Sequence, residues 1–189
     1  MDNTRDRILG LAVASFAAKG YNAVGVQELC VAAAVTKPTL YYHFGSKRGL
    51  LDAVASERYD NFVHAVGASL AYHGDVAASL LEALGVFLKS AREDADFSRL
   101  RLGLAFSPPE SQEHAAFRNC TERLYSSFRE FFVAAAKDHG NMKGRDLAYA
   151  ASFVGTADAY VGLLLAGTLN PDKAFMRRVV HHFMHGIFS

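Results

Sequence analysis

A short stretch near the amino terminus concentrates side chains that can hydrogen-bond to the phosphates and base edges of nucleic acid. Five polar residues have the spacing of one exposed helical face: Thr36, Lys37, Thr39, Tyr42 and His43. Hydroxyl, ammonium, phenol and imidazole groups are suited to phosphate oxygens and base edges. Lys47 follows at a predicted helix amino terminus, where free backbone amides favour an anion. The pattern predicts a surface that contacts double-stranded DNA.

Two predicted helices, over residues 26–33 and 37–43, are joined by a turn at 34–36 and position this surface. The Thr36 hydroxyl is expected to cap the second helix, and Pro38 lies in its first turn, where no backbone donor is lost. Helix, three-residue turn and short helix is the order of a helix-turn-helix. A small apolar core is expected beneath it, formed by Leu29, Ala33, Val35, Leu40 and Phe44.

Helical periodicity continues along the rest of the sequence, and no run shows sustained period-two alternation. An all-α fold of about nine or ten helices is therefore predicted. We expect a three-helix DNA-binding domain over residues 1–47 and a helical ligand-binding and dimerisation domain over residues 48–189. The remaining helices are predicted at residues 4–19, 47–72, 75–93, 96–106, 110–139, 143–168 and 172–188. Gly20 and Gly45 are expected to end helices, Ser46 and Asp75 to cap helix starts, and Asp96 to begin a helix.

Charge and cysteine content narrow the class of protein. Residues 1–50 carry six Lys/Arg against three acids, or +3, whereas the remainder has 14 against 16, or −2. A basic first quarter on a slightly acidic body fits a local phosphate-contacting surface. Two cysteines and no predicted signal peptide favour a reducing, cytoplasmic location. The apolar stretch at 148–169 is interrupted by Ser152, Thr156 and Asp158, which favours a packed helix over a membrane span.

The run VQELCVAAAVTKPTLYYHFGSKRGLLDAV resembles the DNA-binding motif of TetR-family transcriptional regulators, and the turn Lys19-Gly20-Tyr21 precedes it as in that family. The most specific part is Thr39-Leu40-Tyr41-Tyr42-His43-Phe44, followed by Lys47 and Leu50-Leu51. Roughly the first 55 residues match in pattern, and the rest matches in helix number and length. The sequence departs from the family at Ala34, where glycine is usual. A positive φ there would cost on the order of 1 kcal/mol.

The resemblance implies a dimeric regulator, a repressor in its usual form, that binds a roughly palindromic operator. It implies base contacts for Gln27, Lys37 and Pro38, whose side chains suit adenine, guanine and the thymine methyl group. It also implies phosphate contacts for five residues, with Tyr41 in the same DNA-facing set: Thr36, Thr39, Tyr42, His43 and Lys47.

Small residues recur every three or four positions in the predicted helix 143–168: Ala148, Ala151, Gly155, Ala159, Gly162 and Ala166. Such a stripe lets another helix approach closely. In the family that the chain resembles, the last long helices pair with their copies in a four-helix bundle. We therefore expect a homodimer through the last two or three helices, with packing inside one chain as the alternative.

The chain has 14 phenylalanines and 8 tyrosines, and the resemblance implies an effector pocket framed by the middle helices. A mainly apolar or aromatic small molecule would suit it, and its binding would favour a subunit arrangement that releases DNA. From spacing alone, the same residues also fit a plain core. The candidate lining residues are Phe62, Phe87, Phe97, Leu100, Leu104, Phe106, Phe117, Phe128 and Phe153.

The competing hypothesis is a small helical metal-binding protein or enzyme that uses His181, His182 and His185. His181 and His185 share a helical face, but no third ligand follows at the spacing of a zinc site. No phosphate-binding glycine loop, nucleophile elbow or paired carboxylates are recognisable, so we expect no catalysis, no metal and no cofactor. Two further alternatives remain: a redox role for Cys120, and a regulator that responds to a protein partner instead of a small molecule.

Overall fold

The computed structural model describes residues 3–186, and every regular element in that range is helical. The π-helical segment Ala55–Tyr59 joins α4 to α5 without a break. These two therefore form one continuous helix, and the ten α-helices of the described range make nine separate helical segments. The all-α prediction is confirmed. The α-helices are α1 Asn3–Lys19, α2 Val26–Ala32, α3 Lys37–Phe44, α4 Lys47–Val54, α5 Asp60–Ser69, α6 Val76–Glu93, α7 Ala95–Leu104, α8 Gln112–Ala135, α9 Asp146–Leu165 and α10 Lys173–His185.

Several helix ends differ from their predicted positions. The carboxylate that caps α7 belongs to Asp94, which accepts from the backbone N–H of Phe97 at 3.1 Å, so α7 begins at Ala95, one residue before the predicted start at Asp96. Gly144, with a φ of +75°, delays the start of α9 to Asp146. The predicted end of the last helix, at Phe188, lies outside the described residues.

One of two compact units contains the described residues up to Asn61 together with Asp94–Cys120. Within it, α1 packs against α2, α4 and α7. The π-helical segment turns the buried Tyr59 ring towards Phe97 and Phe117, with ring centroids 6.1 Å and 5.6 Å away. A π turn takes one residue more than an α turn and shifts the face of every side chain after it. The buried face of α1 consists of Ile8, Leu9, Ala12, Val13 and Phe16.

The second unit contains Phe62–Glu93 and the described residues from Thr121 onward, with α6 packed against α9 and α10. A row of phenylalanine rings fills its interior. The centroids of successive rings are separated by 5.0, 6.3, 5.4 and 5.0 Å. Edge-to-face and tilted contacts at these distances stabilise a core beyond the burial of the rings alone. The row runs through Phe62, Phe87, Phe128, Phe153 and Phe183.

Helix α9 is unusually exposed for an apolar helix. It is long and apolar enough to cross a membrane, because a window of 18 residues within it has a mean hydropathy of 1.3. Only 28% of that window is buried. Leu147 and Leu163 are 61% and 45% exposed, and five of the six small residues of the predicted stripe are exposed, with Gly162 half-buried. The alternative in which the stripe packs inside one chain is therefore wrong.

These packing units do not test the predicted division into a DNA-binding domain over residues 1–47 and a ligand-binding and dimerisation domain over residues 48–189. That division stays a prediction.

Candidate nucleic-acid interface

Helices α2 and α3 form the predicted helix-turn-helix. Leu29, Ala33, Leu40 and Phe44 are buried between them and the rest of the unit, while Val35 is half-buried. Four of the five side chains expected to form the small core are thus fully enclosed. The core fixes α3 against the unit and leaves the opposite face of α3 open to solvent.

The turn between the two helices contains a left-handed alanine. Ala34 has a φ of +48°, and the backbone N–H groups of Ala34 and Val35 donate to the carbonyls of Val31 and Cys30 at 3.1 and 2.9 Å. These hydrogen bonds close the carboxyl end of α2. A side chain in this conformation costs on the order of 1 kcal/mol or slightly more. The strain that the sequence predicted conditionally for Ala34 is present.

The amino terminus of α3 is capped as predicted. The Thr36 Oγ1 accepts from the backbone N–H of Thr39 at 3.3 Å and lies 2.9 Å from the Thr39 hydroxyl. Pro38 lies in the first turn of α3. At the other end, Gly45 has a φ of +70° and its N–H donates to the Tyr41 carbonyl at 2.8 Å, so α3 stops abruptly before α4.

All nine residues predicted to face DNA lie on α2, α3, their connection and the start of α4, inside one unit. The candidates for base contact, Gln27, Lys37 and Pro38, are all exposed. Tyr42 is 85% exposed, and its ring meets the half-buried His43 ring edge-on at 5.1 Å. Thr36 and Tyr41 are exposed, whereas Thr39 and Lys47 are half-buried. The structure brings the nine together, and their roles towards bases and phosphates stay predictions.

Lys47 is half-buried and lies against an aromatic ring. Its Nζ lies 4.2 Å from the centroid of the Tyr21 ring, and burial lowers its pKa, an effect that the charge of Glu113 opposes. The Tyr21 hydroxyl donates to Gln112 Oε1 at 2.9 Å, and the Asn22 amide donates to Glu113 Oε1 at 2.7 Å. Burial raises the pKa of Tyr21. The first turn of α8 therefore holds the α1–α2 turn, and Tyr21 of that turn contacts Lys47.

Arg5 connects the start of α1 to two other elements of the same unit. Its guanidinium donates through both terminal nitrogens to the Glu57 carboxylate in the π-helical segment, with Nη1 3.0 Å from Oε2. It also lies 5.2 Å from the centroid of Phe44, the last residue of α3. The paired guanidinium lowers the pKa of Glu57, and the carboxylate raises that of Arg5. Planar pairing of this kind fixes orientation as well as distance.

Gly49 allows α4 to approach the end of α3. A Cβ added at this position would lie 2.0 Å from the Phe44 carbonyl oxygen. The Gly49 N–H donates to the Ser46 hydroxyl at 2.9 Å, which confirms Ser46 as the cap of α4. Sequence reasoning missed Gly49, and it also missed the contacts of Arg5 and Gln112. A glycine inside an otherwise regular helix was the signal that could have indicated Gly49.

The nine residues predicted to line an effector pocket separate between the two units. Phe62, Phe87, Phe128 and Phe153 belong to the ring row of the second unit. The other five lie in the first unit, where Phe106 is 95% exposed because it follows the end of α7 and precedes the turn at Ser107. The role of the nine towards an effector stays a prediction. The four remaining residues of the first unit are Phe97, Leu100, Leu104 and Phe117.

The histidines near the carboxyl end and the two cysteines have simple surroundings. The ring centroids of His181 and His185 lie 4.6 Å apart with the ring planes tilted by 41°, and those of His181 and His182 lie 6.2 Å apart. In residues 3–186, no group of three or more His, Cys, Asp or Glu side chains is placed to hold a metal ion. Cys30 and Cys120 are both buried, and neither forms a disulfide within the described residues.

Comparisons with known proteins agree with this geometry. The family described as bacterial regulatory proteins, tetR family, matches residues 8–54, which extend from α1 to the end of α4. The chain is 35% identical over 99 residues to the HTH-type transcriptional activator FasR of Mycolicibacterium smegmatis. That alignment covers 52% of this chain and 45% of the relative, so the chain matches less than half of the relative's length.

Solved structures match over nearly the whole chain. The TetR-family regulator PfmR of Thermus thermophilus aligns with a TM-score of 0.77 at 21% identity, covering 99% of this chain and 98% of that one. The regulator FadR of Bacillus subtilis, in complex with stearoyl-CoA, aligns with a TM-score of 0.79 at 16% identity, covering 96% and 98%. At these identities the likeness concerns the fold.

Proposed function

Because the chain belongs to the TetR family of bacterial regulatory proteins, we propose that it is a ligand-responsive transcriptional regulator that binds a palindromic operator as a homodimer. One observation carries the proposal: the family match coincides with the helices that place nine DNA-suited side chains on one unit. The family match supports a DNA-binding regulator and not an enzyme.

The reading surface is the exposed face of α3 with the second residue of α2. Lys37, Gln27 and Pro38 contact base edges in the major groove, and Lys47 holds a phosphate beside the first turn of α4. The contact of Lys47 with the Tyr21 ring limits its movement, so less side-chain freedom is lost when it binds phosphate. In this proposal, residues 1–47 read DNA, and residues 48–189 bind the effector and the second subunit.

The second subunit covers the exposed face of α9. Its alanines and glycines allow close approach of a helix, and Leu147 and Leu163 add apolar area at the two ends of α9. A two-fold dimer through α9 and α10 presents two α3 helices about one turn of DNA apart, which requires a palindromic site. In this arrangement α9 contacts protein instead of lipid, as is expected of a cytoplasmic protein.

We propose repression as the output and an apolar or aromatic small molecule as the effector that releases DNA. The Bacillus subtilis regulator was crystallised in complex with stearoyl-CoA, which has a long apolar chain. The ligand of that regulator supports an apolar effector for this chain. The Mycolicibacterium smegmatis relative is named an activator. A promoter fusion distinguishes the two outputs: deleting a repressor raises expression, and deleting an activator lowers it.

Two lysines provide the test of DNA reading. DNA selected from a random pool by the full chain is titrated with wild type and variants at several salt concentrations. Lys47→Ala is expected to weaken binding to selected and random DNA alike and to reduce the salt slope by about one. Lys37→Ala is expected to relax the preference at one base position, at a cost of about 1–3 kcal/mol. Lys143→Ala, an exposed lysine outside the surface, serves as the control. If Lys37→Ala, like Lys47→Ala, weakened binding to selected DNA and to random DNA by the same factor, the proposal would be contradicted.

A further inference from the structure

The second unit contains a cavity with an aromatic floor. It has a volume of about 540 Å³ and is bounded by the first turn of α6, the α8–α9 connection and the end of α10. Phe132 forms the floor, with the rings of Tyr149 and Phe183 at centroid distances of 5.4 and 6.3 Å. Met142 and Met184 add apolar lining, and His139 and Asn141 place polar groups in the wall. Volume and lining are typical of sites for small organic molecules.

A smaller cavity of about 330 Å³ adjoins the first one and is more basic. The two share Asp75, Ala77, Met184 and His185 as walls. The smaller cavity adds two side chains that can hold an anion, Arg177 and His181. Together the two cavities carry aromatic rings at one end and Arg177 and His181 at the other.

Arg177 is the cationic side chain that an acidic ligand group would meet in the smaller cavity. Asp75 is the acidic residue of the wall, and its Oδ1 already accepts from the Ala78 N–H at the start of α6, at 2.9 Å. Arg177 makes no ion pair with any residue in the described range. The neighbouring Arg178 instead lies over the Phe175 ring at 5.6 Å. A carboxylate beside Arg177 would therefore gain a charge-assisted hydrogen bond.

We propose that the two cavities form one effector site for a carboxylic acid with an apolar body. The body lies against Phe132, Tyr149 and Phe183, and the carboxylate is bound by Arg177 and His181. Phe183 also touches Phe153 in the buried ring row at 5.0 Å, so an occupant of the cavity bears directly on the packing of the second unit. The assignment rests on the proposed function, because it identifies the site with that of the effector.

The acidic group is tested with two probes of equal chain length, decanoate and 1-decanol, titrated calorimetrically into the full chain. Wild type is expected to bind decanoate at least tenfold more tightly, because the hydrogen bonds of Arg177 are stronger to a charged carboxylate than to a neutral hydroxyl. Arg177→Gln should remove this preference, and the adjacent Arg178→Gln should keep it. Equal binding of the two probes by wild type, or an unchanged preference in Arg177→Gln, would overturn the assignment.

The position of the apolar body is tested by filling the larger cavity. Ala77→Trp should abolish binding of both probes, whereas Ala68→Trp, on the exposed side of α5, should bind them as wild type does. Undiminished decanoate binding by a folded Ala77→Trp would exclude this cavity. Binding to selected DNA is measured on the same samples. Wild type that binds DNA but not decanoate overturns the site alone, and wild type that binds decanoate but no DNA overturns the proposed function alone.

Discussion

Substitution of Gly49 by alanine tests whether the close approach of α3 and α4 matters for DNA reading. The added Cβ would lie 2.0 Å from the Phe44 carbonyl oxygen, and such contacts essentially never fall below 3.0 Å. The two backbones must therefore separate by about 1 Å or more to reach that limit. This movement breaks the Ser46–Gly49 cap, worth about 1 kcal/mol, and disturbs the packing below it, at about 1–3 kcal/mol.

Gly10→Ala is the matched control, because Gly10 also lies inside a helix but has nothing within 4 Å of its added Cβ. Alanine there should raise the free energy of unfolding by about 0.8–1 kcal/mol through helix propensity. Gly49→Ala should lower it by about 2 kcal/mol and weaken binding to selected DNA. Urea unfolding and fluorescence anisotropy measure the two effects. If both variants gain stability to the same extent, the inference of a steric block at Gly49 is refuted.

Three further predictions concern stability and assembly. Ala34→Gly should raise the free energy of unfolding by about 0.5–1 kcal/mol, because relief of the left-handed strain exceeds the added chain entropy; a loss in urea unfolding would contradict this. The pKa of Glu57 is depressed, so its ion pair with Arg5 stabilises the fold at pH values above the ordinary pKa of a glutamate. This contribution is lost as the pH falls through the lower pKa of the folded state. The stability difference between wild type and Glu57→Gln should therefore be constant above about pH 5 and shrink below about pH 4, and a constant difference down to about pH 3 would exclude this role. Gly155→Glu should turn the dimer into a monomer in sedimentation equilibrium, whereas Ala68→Glu should not; a dimer of unchanged strength in Gly155→Glu would contradict the α9 interface.

The features that sequence reasoning predicted correctly depend on neighbours within a few positions. The caps at Thr36, Ser46 and Asp75 follow from one side chain and an amide three residues later. At α7 the predicted start was one residue late, because Asp94 and Asp96 both suit the start of a helix and only the path of the chain selects Asp94 as the cap.

The contacts that were missed join residues far apart in sequence. Tyr21 and Gln112 are separated by 91 positions, and Arg5 and Glu57 by 52, so no local pattern links them. Helical periodicity identified Phe87 and Phe128 as apolar positions, but it does not show whether such rings pack against each other or enclose a space. For this reason the cavity beside Phe132 could not be predicted, although its residues were visible in the sequence.

The exposed face of α9 makes the proposed regulator sensitive to its own abundance. If two chains must associate before either reads an operator half-site well, the concentration of the competent species follows mass action. Below the dissociation constant of the dimer, doubling the protein raises the dimer concentration about fourfold. Modest changes in synthesis or dilution by growth would then shift operator occupancy steeply, without any change in the effector.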